Sequence, residues 1–142
     1  MKRIQIRVGD VECEAELFEE SAPQTVNELW ESLPILDRTI QVRWSGDAWR
    51  TEGDYELVPD GTPLENVAER LSAGDIIYFP STQTPNRKVG IAYGSAQWLA
   101  PFMEPVDVAY IGKIDTNLDE FVACCQRIIF DGPLEIEIKR VD

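Results

Sequence analysis

The chain has 142 residues, enough for one domain with a substantial core and short for two. Thirteen Lys and Arg stand against 26 Asp and Glu, and the net charge of −13 repels phosphate backbones and anionic membrane surfaces, so neither nucleic acid nor membrane is an expected partner. There is no histidine, which removes Ser-His-Asp and Cys-His mechanisms, imidazole general bases and His-based zinc sites.

Arg3 to Val8 alternates, with Ile4, Ile6 and Val8 on one face and Arg3, Gln5 and Arg7 on the other, the period of a half-buried strand. Gly9-Asp10 turns the chain, and Val11 to Phe18 returns as the second arm of a hairpin. A helix follows at once. Ser21 stands three residues before Gln24 as in a capping box, and Pro23 is tolerated in the first turn, where amides have no intrahelical partner. Val26, Leu29, Trp30 and Leu33 form one apolar stripe, and burying them is worth roughly 6 to 10 kcal/mol gross.

Thr39 to Trp44 alternates again, Ser45-Gly46-Asp47 turns, and Ala48 to Thr51 completes a second hairpin with Trp and Arg crowded at its tip. Glu52 to Thr62 is loop, interrupted by the apolar piece Tyr55 to Val58, and Pro63 to Leu71 reads equally as a helical turn or a strand. Ile76 to Pro80 is a continuous apolar run, the mark of a strand covered on both faces, and Val89 to Tyr93 is its partner. Gly94 to Pro105 is a loop rich in aromatic residues. Val106 to Ile114 is a further strand.

A second helix is expected from Asn117, with Glu120 three residues on, and Leu118, Phe121, Val122, Cys125, Ile128 and Ile129 make its stripe. Asp131-Gly132-Pro133 stops it, and Leu134 to Val141 closes the chain as a strand. Cys125 lies on the stripe with Cys124 beside it, which reads as buried structural thiol. Three cysteines without a framework fit a reducing compartment, and a thiolate-only zinc site takes about four, so no metal site is expected. No apolar run approaches the roughly 20 residues of a membrane span, and the N-terminus lacks a signal-peptide hydrophobic region. The expected location is the cytoplasm. Seven or eight short strands with two single-stripe helices predict a mainly β domain over residues 1–142: a closed antiparallel barrel of about eight strands, with a helix capping each end.

The passage Glu16-Leu17-Phe18 with Ala22-Pro23-Gln24-Thr25-Val26-Asn27 resembles the opening of the cyclophilins, where a strand ending in L-F leads into a P-x-T-x-x-N-F helix. Ile111-Gly112-Lys113-Ile114 followed by Leu118-Asp119 resembles their F-G-[KR]-V segment and the helix after it. The cyclophilin arginine that polarises a prolyl amide falls on Arg43 when IQVRWSGDAWRTEGD is laid on F-H-R-x-x-P-x-F-x-x-Q-G-G-D, with Ala48 in place of the aromatic and Thr51 in place of the glutamine. G-D-I-x-Y-x-P followed by I-A-Y-G is similar to small bacterial cyclophilin-like domains of unassigned function. The resemblance implies that barrel without the full set of isomerase residues.

Arg43, Trp44, Trp49 and Arg50 on the second hairpin, with Tyr93, Trp98 and Phe102, are the candidate ligand-binding residues. Guanidinium groups beside aromatic faces can hold a carboxylate by paired hydrogen bonds and a planar group by stacking. The competing reading makes the tryptophans core and the arginines a solvated rim. Glu52 and Asp54 could serve as base or cation ligand, and Ser45, Ser81 and Ser95 have no recognisable base. The expected function is binding of a small anionic molecule or short peptide without a cofactor. The alternatives are a prolyl isomerase using Arg43, or a homo-oligomeric interaction protein whose 94–105 loop packs on another subunit.

Overall fold

The computed structural model describes residues 1–81, 86–99 and 103–141. Strands β1 (Arg3–Val8) and β2 (Val11–Leu17) form the opening hairpin about Gly9, whose φ of +57° suits a residue without a side chain. Helix α1 (Pro23–Ser32) leads to β3 (Ile35–Gln41) and β4 (Gly46–Thr51), and a long connection carries the two-residue β5 (Val67–Ala68). Then come β6 (Asp75–Pro80), β7 (Arg87–Ala96), β8 (Val108–Thr116), helix α2 (Leu118–Gln126), the single turn α3 (Ile128–Asp131) and β9 (Glu135–Arg140).

All pairings are antiparallel. The order β2-β1-β9-β3-β4-β7-β6-β8 closes on itself because β8 also pairs with β2, giving an eight-stranded barrel to which β5 adds as an extra strand on β8. Leu17 lies opposite Gly112 and Glu14 opposite Thr116, so β2 leaves for α1 at one end of the barrel and β8 leaves for α2 at the other. Each helix turns its stripe inward. Val26 and Leu29 from α1 and Phe121 and Cys125 from α2 join Ile4, Ile6, Trp49 and Ile111 in the interior core. Among the described residues no helix is long and apolar enough to cross a membrane.

A second apolar cluster lies outside the barrel. Alternation sends Ile76 inward and Ile77 outward on β6, and Trp49 inward and Ala48 outward on β4; Ile77 and Ala48 pack with Ala92, Leu71, Val42 and Trp98. The apolar run of β6 is therefore buried on both faces, as expected of a strand with no wet side.

Several boundaries differ from the sequence expectation. Ser21 and Gln24 do not form a capping box; Ala22 is the N-cap residue, and no side chain of its own caps the helix. Glu65 does so from the long connection, accepting from Thr25 N–H at 2.8 Å, Gln24 N–H at 3.2 Å and the Thr25 hydroxyl at 2.8 Å. Strand β3 starts at Ile35 and ends before Arg43 and Trp44, which lie in a turn closed by Ser45 N–H on the Val42 carbonyl. Asn117 adopts φ +58° and gives its side chain to the Glu12 carbonyl instead of capping α2. The second helix breaks at Arg127, so Ile128 is buried but Ile129 is exposed.

Candidate functional site

The wall made by β4 and β7 divides the predicted residues between its two faces. Trp49 is fully buried inside the barrel, where its indole N–H donates to the Cys125 sulfur at 3.3 Å and its ring lies 6.5 Å from that of Phe121. Tyr93 is also interior, and its hydroxyl accepts from Gln41 Nε2 at 2.7 Å; burial holds the phenol above its ordinary pKa. Both side chains belong to the core at the α2 end. Sequence reasoning did not single out Gln41, because a lone Gln ending an alternating strand carries no local signal.

Arg43 and Trp44 lie at the exposed turn between β3 and β4. The Arg43 guanidinium donates to Asp47 at 2.6 Å, and the Asp47 carboxylate rests against the backbone of Gly94, where an added Cβ would lie 2.6 Å from it. Phe102 lies outside the described residues. The other two candidates, Arg50 and Trp98, share the outer face.

On that face Arg50 pairs with Gly90 across the β4–β7 ladder, and the Trp98 indole lies over Gly90 so closely that an added Cβ would be 2.6 Å from its ring. Phe79, half-buried on β6, lies with its ring centroid 6.2 Å from that of Trp98. Ser45 fixes the approach to this indole: its carbonyl accepts from Gln97 N–H at 2.8 Å and its hydroxyl from Leu99 N–H at 3.0 Å. Trp98 and Ala48 are buried in the outer apolar cluster, at 3% and 0% exposure, so the tryptophan proposed as a ligand contact is core.

The acids around Arg50 are already engaged. Asp37 accepts from the N–H groups of Arg38, Glu52 and Gly53 and from the Tyr55 hydroxyl at 2.5 Å. Glu52 pairs with Arg38 at 2.8 Å. Asp54 accepts from Arg87 N–H at 2.8 Å and pairs with Lys88 at 3.2 Å, and these bonds, the Arg87 N–H foremost, hold its carboxyl below the usual range. Lys88, itself buried, gives its remaining protons to the carbonyls of Glu52 at 2.5 Å and Gly53 at 3.3 Å.

Arg50 differs from these cations. Its guanidinium donates to the Thr51 carbonyl at 2.9 Å, and among the described residues no carboxylate lies within 4 Å of it. Burial lowers its pKa, against the attraction of Asp54, Glu52 and Asp37. A half-buried cation with donors to spare is a ready seat for an anion.

Elsewhere the chemistry is quiet. Burial pushes Cys13 and Cys125 up to about 12, so neither is a nucleophile at neutral pH, and Cys124 is raised as well. Among the described residues no group of three or more Cys, Asp or Glu is placed to hold a metal ion. An open cleft of about 440 Å³ at the α1 end is lined by Met1 and residues 16–21, with Glu16, Glu19 and Glu20 on its walls.

A closed eight-stranded antiparallel barrel with an amphipathic helix across each end is the cyclophilin-like type of fold. The chain belongs to the DUF3830 family, described as proteins of unknown function, whose model matches residues 4–139. Solved structures resemble it, two of them as follows. McbB, determined in complex with tryptophan, superposes with a TM-score of 0.71 at 18% identity over 96% of this chain, which spans 44% of McbB. The hypothetical protein AF2241 of Archaeoglobus fulgidus gives a TM-score of 0.60 at 22% identity, covering 99% of this chain and 95% of its own. No curated protein matches.

Proposed function

We propose that this chain is a binding module that holds a small anionic molecule, or the carboxylate of a short peptide, at Arg50 on the outer wall of the barrel. The observation that carries the reading is the half-buried guanidinium without a carboxylate partner, in a chain whose acids outnumber its bases two to one. Leaving such a group unpaired is costly, and an anionic ligand removes that cost. McbB was solved in complex with tryptophan; at 18% identity it speaks for the fold, and Arg50 carries the argument here.

A thermal-shift screen of anionic metabolites and short peptides tests this. A ligand at 100 times its Kd should stabilise the wild type by about 2.7 kcal/mol. The same ligand should leave Arg50→Gln unmoved. A broad panel with no response, or an equal response from Arg50→Gln, removes the reading.

The prolyl isomerase alternative rests on Arg43. That guanidinium is exposed and its charge is met by Asp47 at 2.6 Å, so the geometry favours Arg50.

A further inference from the structure

We propose that the solvent face of the α2–α3 segment is a docking surface for a basic amphipathic segment of another protein, which covers Ile129 and Phe130 and pairs with the acids around them. The break at Arg127 creates the surface. Past it the single turn α3 buries Ile128 but leaves Ile129 49% and Phe130 83% exposed, and Phe130 stands outside both apolar clusters. The turn is well held: Phe130 and Asp131 N–H donate to the Arg127 carbonyl at 3.0 and 2.8 Å, and Gly132 N–H donates to that of Ile128 at 2.8 Å. Ala123 on α2 and Pro133 just past α3 add exposed apolar surface to the same segment. An aromatic side chain held in water by an ordered turn does nothing for the core, and such exposure marks a contact surface.

Charge selects the occupant. Asp119 and Glu120 on α2, and Asp10 in the β1–β2 turn near Cys124, are exposed and have no ion-pair partner among the described residues. The bases nearby are engaged: Arg127 donates to Asp131 at 2.9 Å, and Arg7 donates to the Gly9 carbonyl at 3.0 Å and lies 3.9 Å from Glu137. The surplus is negative, as it is for the whole chain at −13. A second copy would set these acids against their own kind, and like charges at short range oppose association. A helix or strand with Lys or Arg beside an apolar stripe meets both the ring and the acids.

Fluorescence anisotropy of a labelled amphipathic peptide of leucine and lysine, titrated with the full chain, tests the proposal. Two controls accompany it: the same peptide with glutamate for lysine, and a scrambled leucine-lysine peptide with no apolar face. The amphipathic lysine peptide should bind the wild type more tightly than either control, and Phe130→Ser should weaken it at least about tenfold. Leu36→Ser, which removes a side chain 71% exposed on β3, should leave it unchanged. Asp119→Asn with Glu120→Gln should weaken binding and flatten its dependence on salt. Thermal melts of the variants report folding, and Phe130→Ser should melt with the wild type. No binding, equal binding of the scrambled peptide, or a Phe130→Ser variant that binds like the wild type would overturn the proposal. A wild-type dimer in light scattering that Phe130→Ser dissolves would give the face to a second copy and overturn it as well.

Discussion

Glu65 holds the first turn of α1 from 40 residues away, and its three hydrogen bonds do what Ser21 was expected to do. Burial opposes its ionisation, but the bonds from Thr25 and Gln24 outweigh that and leave its carboxyl below the ordinary glutamate range. Glu65→Ala should therefore cost about 1 kcal/mol, the usual worth of a helix cap, read from urea unfolding. The sign of the pH effect follows. A depressed folded pKa contributes stability that is present above the unfolded glutamate pKa of about 4.3 and lost as pH falls through the folded value. The wild type should lose more stability than Glu65→Ala on acidification below about pH 4.3. Parallel acid limbs for the two proteins would show that the carboxylate is not the cap.

At the scale of elements, periodicity located the strands and both helices because each buries one stripe and wets the other: Ile4, Ile6 and Val8 against Arg3, Gln5 and Arg7, or Val26 and Leu29 against Asn27 and Glu28. The candidate site was less legible. Trp49 and Arg50 are neighbours in sequence, and only the register of β4 tells that one faces the interior and the other the outer wall. Caps and partners such as Glu65, Gln41 and Lys88 act across long sequence separations and left no local pattern. Gly90 shows how tight the outer wall is. Gly90→Ala would set a methyl 2.6 Å from the Trp98 ring and 3.1 Å from the Trp49 carbonyl, and such overpacking should cost about 1 to 3 kcal/mol. Trp98→Leu should recover part of that loss in a double-mutant cycle of unfolding free energies. Strict additivity of the two changes would mean that the indole and the Gly90 position do not touch.

For the whole molecule, charge opposes compaction. A net charge of −13 on a barrel whose ion pairs are largely at the surface, such as Arg38 with Glu52 and Arg127 with Asp131, means that repulsion outweighs what isolated pairs return. Raising ionic strength from about 0.01 to 0.15 M shortens the screening length from about 30 to 8 Å, and the melting temperature should rise. A fall would show that the surface pairs dominate.

The two apolar clusters give the barrel a dry half and a wet half. Strands β4, β6 and β7 have apolar layers on both faces, whereas β1, β2 and β9 turn Arg3, Gln5, Glu12, Glu14 and Glu137 to solvent. Amide deuteration should record this as two classes of proton. Those of β6 and β7 should exchange only through global opening, while the outermost turns of β1 and β9 and the short β5 should exchange through smaller excursions. An anion bound at Arg50 would then slow the late class most, because the group that holds it stands on the half that opens last.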